Sequence, residues 1–521
     1  MAFTDHPMMQ HSLYIFSFNV GMKGLNMEKN WKQAAKRVVA AVLFVSLLVG
    51  SIYGVNWLFR LKATDGCYPV QMFYKQKKDS IDVLCLGSSH TYTNINPAVL
   101  WDDYGIAAYD LAGSNQPFWN SYYYLKEALK YQTPELVVLD VYRAIETQDY
   151  QDDARTAMNT FGLHYSKDYK ENIKVSLFPT ETELDYLLKF PIYHARYQEM
   201  KEADFKFYNN DANRRNYKGF NLNCISTTVF GEFPDISGVT EVEQMTDKTK
   251  EYLEKIILLT EEQDIPLLLV VAPYIDGITE DKKIFNQVEL LAAQCDIDFV
   301  DFNEYYGRIG LDPTTDFAEG SHLNYYGNEK YSRYLGQYIV DNYDVSDRRG
   351  DAAYDSWEQN ARFYEKHAAD VDLMKTDDKQ EYFKKLFASA DRYTICVNVT
   401  GNCSDSQEIE NLLKTYDMDL QNGSVWVFQG GDLVYSLPTE QEIKQGDFFE
   451  TDLGKNSLCI ETKIETNAFY GDYPVKTVTL EGTRSEKAAR GINIIVYDNE
   501  LQNMVDNIGL DADDSYQIHR N

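Results

Sequence analysis

Five short apolar runs, bounded by turn residues and separated by helical stretches, constrain this chain more than any other feature. They lie at 81–86, 106–111, 136–141, 266–272 and 297–301. Runs of five to seven mostly apolar residues without strict alternation suit strands buried on both faces, since a half-exposed strand would alternate. Pro134 introduces the third run and Pro273 closes the fourth. Helix-like stretches at 119–130, 248–263 and 283–294 lie between the runs, and one at 325–343 follows the last. Such alternation predicts an α/β fold with a doubly wound parallel sheet, its active site beyond the carboxyl ends of the strands. The aromatic and charged stretch 145–245 interrupts the pattern and reads as an insertion over that edge.

Upstream, residues 38–59 form a 22-residue run with no charge. As a helix it covers about 33 Å, enough to cross a bilayer core. It is long for a signal peptide, and no clear small-x-small cleavage site precedes Arg60. Basic residues bracket it: Lys23, Lys29, Lys32, Lys36 and Arg37 before, Arg60, Lys62, Lys75, Lys77 and Lys78 after. The positive-inside count is therefore a tie. The short tail 1–37 and the acidic bulk beyond the span favour a single-pass signal anchor with a cytoplasmic N-terminus and an extracytoplasmic C-terminal bulk. Overall the chain carries 81 acidic against 50 basic residues, a net charge of −31. That balance repels a phosphate backbone and argues against nucleic acid as partner. Seven scattered cysteines form no CxxC pair, and no His/Cys cluster has metal-ligand spacing, so a structural zinc site is not expected. Cys396 and Cys403 could pair outside the cell, although their spacing does not require it.

The sheet domain is expected over 80–343, followed by a charged helical connector at 344–390. From residue 391 short β-type runs predominate, with turns at Asn422-Gly423 and Gly430-Gly431 and one helix at 406–416. This predicts a smaller α+β domain over 391–521. Its only histidine is His519 and it offers no nucleophile–base pair, so binding rather than catalysis is expected there.

Three segments at the predicted carboxyl edge carry chemistry. The first strand ends in Gly87-Ser88-Ser89-His90. A serine at this exit can be presented to solvent with helix N–H groups behind it, although an ordinary N-cap serine is the commoner meaning of Gly-x-Ser. After the fifth strand comes Asp316-Phe317-Ala318-Glu319-Gly320-Ser321-His322-Leu323-Asn324. A carboxylate three residues before a histidine can orient the imidazole and stabilise its cation, leaving the other ring nitrogen to take a serine proton. After the second strand, Ala112-Gly113-Ser114-Asn115 can face an oxyanion or simply cap the next helix. His90 should point away from Ser89, towards substrate or into the structure. His194 and Arg196, within Pro191-Ile192-Tyr193-His194-Ala195-Arg196-Tyr197, are substrate-binding candidates or a buried structural knot. Lys218-Gly219-Phe220 reads as a cleft wall or a turn.

In this order the three segments resemble the SGNH/GDSL hydrolase superfamily, and most of all its membrane-anchored branch of alginate O-acetyltransferase-like and teichoic-acid D-alanyl transfer proteins. There the first block tends to read Gly-Ser-Ser, as here. The resemblance covers about 80–343 and implies a flavodoxin-like sheet and a triad of Ser89, His322 and Glu319. It implies a serine esterase or O-acyltransferase acting on a cell-surface polysaccharide or other acylated polymer, with a multispanning membrane O-acyltransferase as possible partner. Such acyl chemistry needs no metal or organic cofactor. Two positions depart from the pattern. The acid is Glu319 where the family has Asp, so Asp316 is an alternative. The Gly-x-Asn block after the third strand is replaced by Leu139-Asp140-Val141-Tyr142-Arg143, so Tyr142 or Arg143 would have to supply the missing oxyanion or substrate contact. That loss leaves open a non-catalytic sugar-binding or scaffold protein on a degenerate SGNH fold. Segments near Arg490 to Asp498 and the Trp426 run resemble, in permuted order, the interleukin-like EMT inducer domain, which implies a sugar- or ligand-binding module.

Overall fold

The computed structural model describes residues 10–60, 67–198, 200, 205, 217–221, 227–401, 406–419, 424–437, 448–453, 457–467, 471–480, 483–484 and 487–520. It divides into two units, 1–62 with 180–205, and 63–179 with 206–521.

In the first unit one helix runs over Gln10–Phe59. Its part Trp31–Phe59, 29 residues, is long and apolar enough to cross a membrane, and its most apolar window is not buried in protein. This is compatible with single-pass anchoring. Two short helices, Glu183–Leu188 and Phe190–Tyr193, belong to the same unit. The Asn56 amide donates to the Leu188 carbonyl at 2.8 Å, fastening them to the last turns of the long helix.

The second unit begins with a five-stranded parallel sheet. Its strands are β1 (Val83–Gly87), β2 (Ala108–Ala112), β3 (Leu136–Asp140), β4 (Leu267–Val271) and β5 (Asp298–Asp301), in the order β2-β1-β3-β4-β5. The first four strands are buried along their whole length, which is why their sequences do not alternate. β2 lies on one side of β1 and β3 on the other, so the direction of winding reverses. Right-handed crossovers then place the helices before and after that reversal on opposite faces. Accordingly Val83, Cys85, Leu136, Val138, Leu268 and Val270 pack on Leu100 of helix Pro97–Tyr104 and on Tyr331, Leu335 and Ile339 of helix Tyr325–Asn342. The alternate residues Leu84, Leu86, Val137, Leu139 and Leu269 are equally buried on the other face. The reversal opens a crevice between the carboxyl ends of β1 and β3, where flavodoxin-like sheets bind ligands.

The stretch 145–245 is not one body. Helices Asp153–Thr160 and Lys167–Ser176 belong to the sheet unit, whereas 180–205 belongs with the long apolar helix. Lys218 is buried, donates to Gln76 and Ser356 at 2.9 and 2.7 Å, and sits 3.6 Å from the Trp357 ring centroid. It and Gly219, which presses on the Asp110 carbonyl, form a buried turn.

Past helices Asp355–Met374 and Lys379–Ala388 the chain forms a six-stranded antiparallel sheet centred on Tyr393–Thr400 and Gly491–Asp498. Alternation along these strands serves two cores. Ile395, Val397, Ile494 and Val496 face Phe383 and Leu386 of the second of these helices and Leu413 of helix Gln407–Lys414. Cys396, Val427, Ile495 and Tyr497 face Leu458, Ile460, Val478 and Leu480 of a four-stranded sheet. The turn at Gly430-Gly431 closes the hairpin between Val425–Gln429 and Asp432–Leu437. Asn422-Gly423 and Cys403 lie outside the described residues.

Candidate active site

The turn out of β1 is shaped by Gly87, whose φ is +145°. A Cβ there would stand 2.3 Å from Thr91 Oγ1 and 3.1 Å from Asp140 Cβ, so only glycine lets the strand turn this sharply against β3. Ser89 is consequently the first residue of helix Ser89–Asn94, at the carboxyl edge of the sheet.

The second segment is a short antiparallel hairpin, Phe317–Glu319 with His322–Leu323. Its register pairs Glu319 with His322, which explains the Glu-x-x-His spacing. Phe317 and Leu323 are fully buried and anchor the hairpin in the core. The Gly320 carbonyl accepts the Ile275 and Asp276 amides at 2.7 and 2.9 Å, and Asn94 Oδ1 accepts the Leu323 amide at 3.1 Å. Asn324 caps the last sheet helix, accepting the Tyr326 and Gly327 amides.

These supports bring His322 Nε2 to 2.7 Å from Ser89 Oγ, across 233 positions of sequence. On the other side of the ring, Nδ1 pairs with Glu319 Oε1. A carboxylate accepts from Nδ1–H, which leaves Nε2 as the acceptor for the serine proton. Glu319 Oε2 also accepts the Ser321 amide at 2.9 Å. The Glu319 side chain is 52% exposed and that of His322 24%. Asp316 does not share this arrangement. It is buried, pairs with Lys330 at 2.6 Å and accepts the Asp312 amide and the Thr315 hydroxyl at 2.8 Å each. It braces the loop through these partners.

The remaining sequence candidates divide between the two units. Gly113 is tightly approached, since a Cβ there would meet Asn159 Oδ1 at 2.3 Å. Asn115, at φ +48°, accepts from Arg143 at 3.4 Å through its side chain and from Gln151 at 2.5 Å through its carbonyl. Arg143 also forms an ion pair with Glu146. The turn after β2 is thus tied to the segment after β3, at the edge that carries Ser89. In the other unit, Arg196 donates to the Phe59 and Arg60 carbonyls at 2.6 Å, capping the apolar helix with a cation, and His194 Nδ1 turns onto the Pro191 carbonyl.

His90 is fully buried and does not reach the substrate side. Its ring stacks on Tyr142 with centroids 3.6 Å apart and planes at 12°. Tyr274 meets both rings edge-on at 5.2 Å, and the His322 ring lies 5.3 Å from His90. Burial, with His322 and Arg143 adding to it, holds the His90 imidazole well below its usual pKa, so it is neutral. Burial pushes the Tyr142 and Tyr274 hydroxyls up. Asp140, beneath the turn, accepts the Tyr142 and Ala272 amides at 3.0 Å each, and burial pushes its carboxyl up to about 7. Tyr274, Asp140 and Asn94 were not singled out by sequence. The signal for Tyr274 was its place directly after the Pro273 that closes β4.

No family model matches the chain, and no curated protein is significantly similar to it. Among solved structures it is similar to a protein assigned as lipolytic, of the G-D-S-L family, from Desulfitobacterium hafniense DCB-2 (12% identity, 49% of this chain and 97% of that chain, TM-score 0.25). It is similar to a protein assigned as an acylhydrolase from Bacteroides fragilis NCTC 9343 (14%, 52% and 94%, TM-score 0.26). A third is a GDSL-like lipase from Bacteroides thetaiotaomicron VPI-5482 (13%, 50% and 87%, TM-score 0.25). The winding β2-β1-β3-β4-β5 is that of a flavodoxin-like sheet, and serine and histidine meet beyond the carboxyl ends of its strands.

Proposed function

We propose that this chain is a membrane-anchored, extracytoplasmic SGNH-type serine acyl-ester hydrolase or O-acyltransferase acting on a cell-surface polysaccharide or other acylated envelope polymer. The observation that carries the reading is the 2.7 Å contact of Ser89 Oγ with His322 Nε2, with Glu319 on the far nitrogen. Ser89 Oγ attacks the acyl carbonyl carbon while its proton passes to His322 Nε2. Glu319 stabilises the imidazolium that forms. Amides at Ser89 and around Asn115 hold the oxyanion, with Tyr142 and Arg143 beside them in place of the absent Gly-x-Asn block. As the tetrahedral species collapses, the departing alkoxide takes the proton from His322 and the acyl group stays on Ser89. Water or a sugar hydroxyl then gives its proton to His322 as it attacks the acyl-serine, and His322 returns that proton to Ser89 Oγ as the bond to the acyl group breaks. Water makes the enzyme an esterase; a sugar hydroxyl makes it a transferase. The apolar helix would hold this chemistry at the membrane, where a multispanning O-acyltransferase could supply the acyl group. The C-terminal sheets would bind polymer.

A fluorophosphonate probe tests the reading. Labelling of the wild type and loss of label in Ser89→Ala, with parallel loss of p-nitrophenyl acetate hydrolysis, is the expected result. An unlabelled, inactive but folded wild type would leave the sugar-binding scaffold instead.

A further inference from the structure

The carboxylate partner of His322 is half exposed. A pair in that position is screened by water and holds geometry weakly. Something else must fix the plane of the imidazole, and the buried side of the ring offers it. Three aromatic rings converge there from the carboxyl ends of three neighbouring strands: His90 after β1, Tyr142 after β3 and Tyr274 after β4. Tyr274 is itself held, donating to Asp281 at 2.8 Å and receiving the Tyr306 hydroxyl on its carbonyl. His90 is the member that meets His322, at 5.3 Å and 62°. Both of its ring nitrogens are buried with no hydrogen-bond partner among the described residues, so a polar contact does not account for its place.

We propose that His90 is the positioning residue of His322, a neutral aromatic wedge that fixes the imidazole plane towards Ser89. This rests on the acyl-transfer reading of the site. The wedge must also be uncharged, because His322 becomes a cation as Ser89 attacks, and a second imidazolium beside it would oppose that step. Burial keeps His90 neutral; the other charged groups nearby, Arg143 with Glu146, and Asp281 behind Tyr274, are paired or hydrogen-bonded.

The test compares His90→Phe, which keeps a neutral ring, with His90→Leu, which removes it, by kcat and KM on p-nitrophenyl acetate and by the rate of fluorophosphonate labelling. His90→Leu should lower kcat and the labelling rate by about 10- to 100-fold with KM unchanged, the scale of a small misplacement of a reacting group. His90→Phe should restore both to near the wild-type value. Should His90→Leu not fold, as judged by circular dichroism, His90→Met fills the same volume and carries the same expectation. A ringless variant as fast as the wild type, a loss carried by KM alone, or His90→Phe as slow as His90→Leu would each overturn the wedge. If the wild type labels and the ringless variant labels equally fast, only this inference fails. If the wild type does not label at Ser89, the acyl-transfer reading fails and takes the wedge with it.

Discussion

At the scale of the residue, the two acids before His322 have different work, and each predicts its own phenotype. Glu319 touches the imidazole, so Glu319→Gln should leave the fold intact and lower esterase turnover by about 10²- to 10⁴-fold, because the imidazolium loses its counter-charge. Asp316 is buried on Lys330 and on backbone amides, so Asp316→Asn should leave labelling of Ser89 in place. It should instead lower stability by about 1–3 kcal/mol, read as a fall in thermal midpoint. The reverse ranking of the two activities would move the acid. His90 makes a third case. Its two nitrogens, without a partner among the described residues, are buried at a cost, and His90→Phe removes them without removing the ring. That variant should be more stable than the wild type by about 1–3 kcal/mol, measured by urea unfolding. Glu319 and Asp316 could not be ranked by sequence except through spacing. The hairpin register, which pairs residue 319 with residue 322, is what separates them.

At the scale of the element, each chemical segment lies where a strand gives way to a helix or hairpin, and the strand ends carry buried charge. Asp140 closes β3 with its carboxyl pushed up to about 7. Its folded value lies above its unfolded value of about 4, so the native state binds its proton more tightly. The stability this contributes is complete below about pH 4 and is lost as pH rises through about 7, up to about 4 kcal/mol in all. Urea midpoints should therefore fall between pH 5 and 8, and the fall should be smaller in Asp140→Asn. An identical fall in the variant would place the titration elsewhere. Not every element was legible. Strand Asn503–Asp511 reads Asn-Met-Val-Asp-Asn-Ile-Gly-Leu-Asp, too polar to stand out, yet it pairs along Gly491–Asp498. Tertiary pairing overrides weak strand propensity there. The helix expected from residue 283 begins at Ile278, because Gly277 in the left-handed region turns the chain into it five residues earlier.

At the scale of the whole molecule, the long apolar helix and the acidic sheet unit make one topological prediction. A reporter fused after Asn521 should be active on the outer face of the membrane, as the short tail before the span and the acidic bulk after it favour export of the C-terminal part. A cytoplasmic signal would remove both the location and the envelope substrate. The five strands, the apolar span and the Gly-Ser-Ser and Glu-x-x-His segments could all be read from sequence. Each is local: burial on both faces leaves an unbroken apolar run, a bilayer demands a minimum length, and a turn demands its glycine. The meeting of His90, Tyr142 and Tyr274 under His322 could not be read that way. Those rings are distant in sequence and become neighbours only because the sheet reverses its winding between β1 and β3 and so sets three strand ends side by side. The same reversal decides between the two places open to His90, towards substrate or into the structure, and seals it in the interior, because which way a side chain faces depends on the neighbours the sheet supplies.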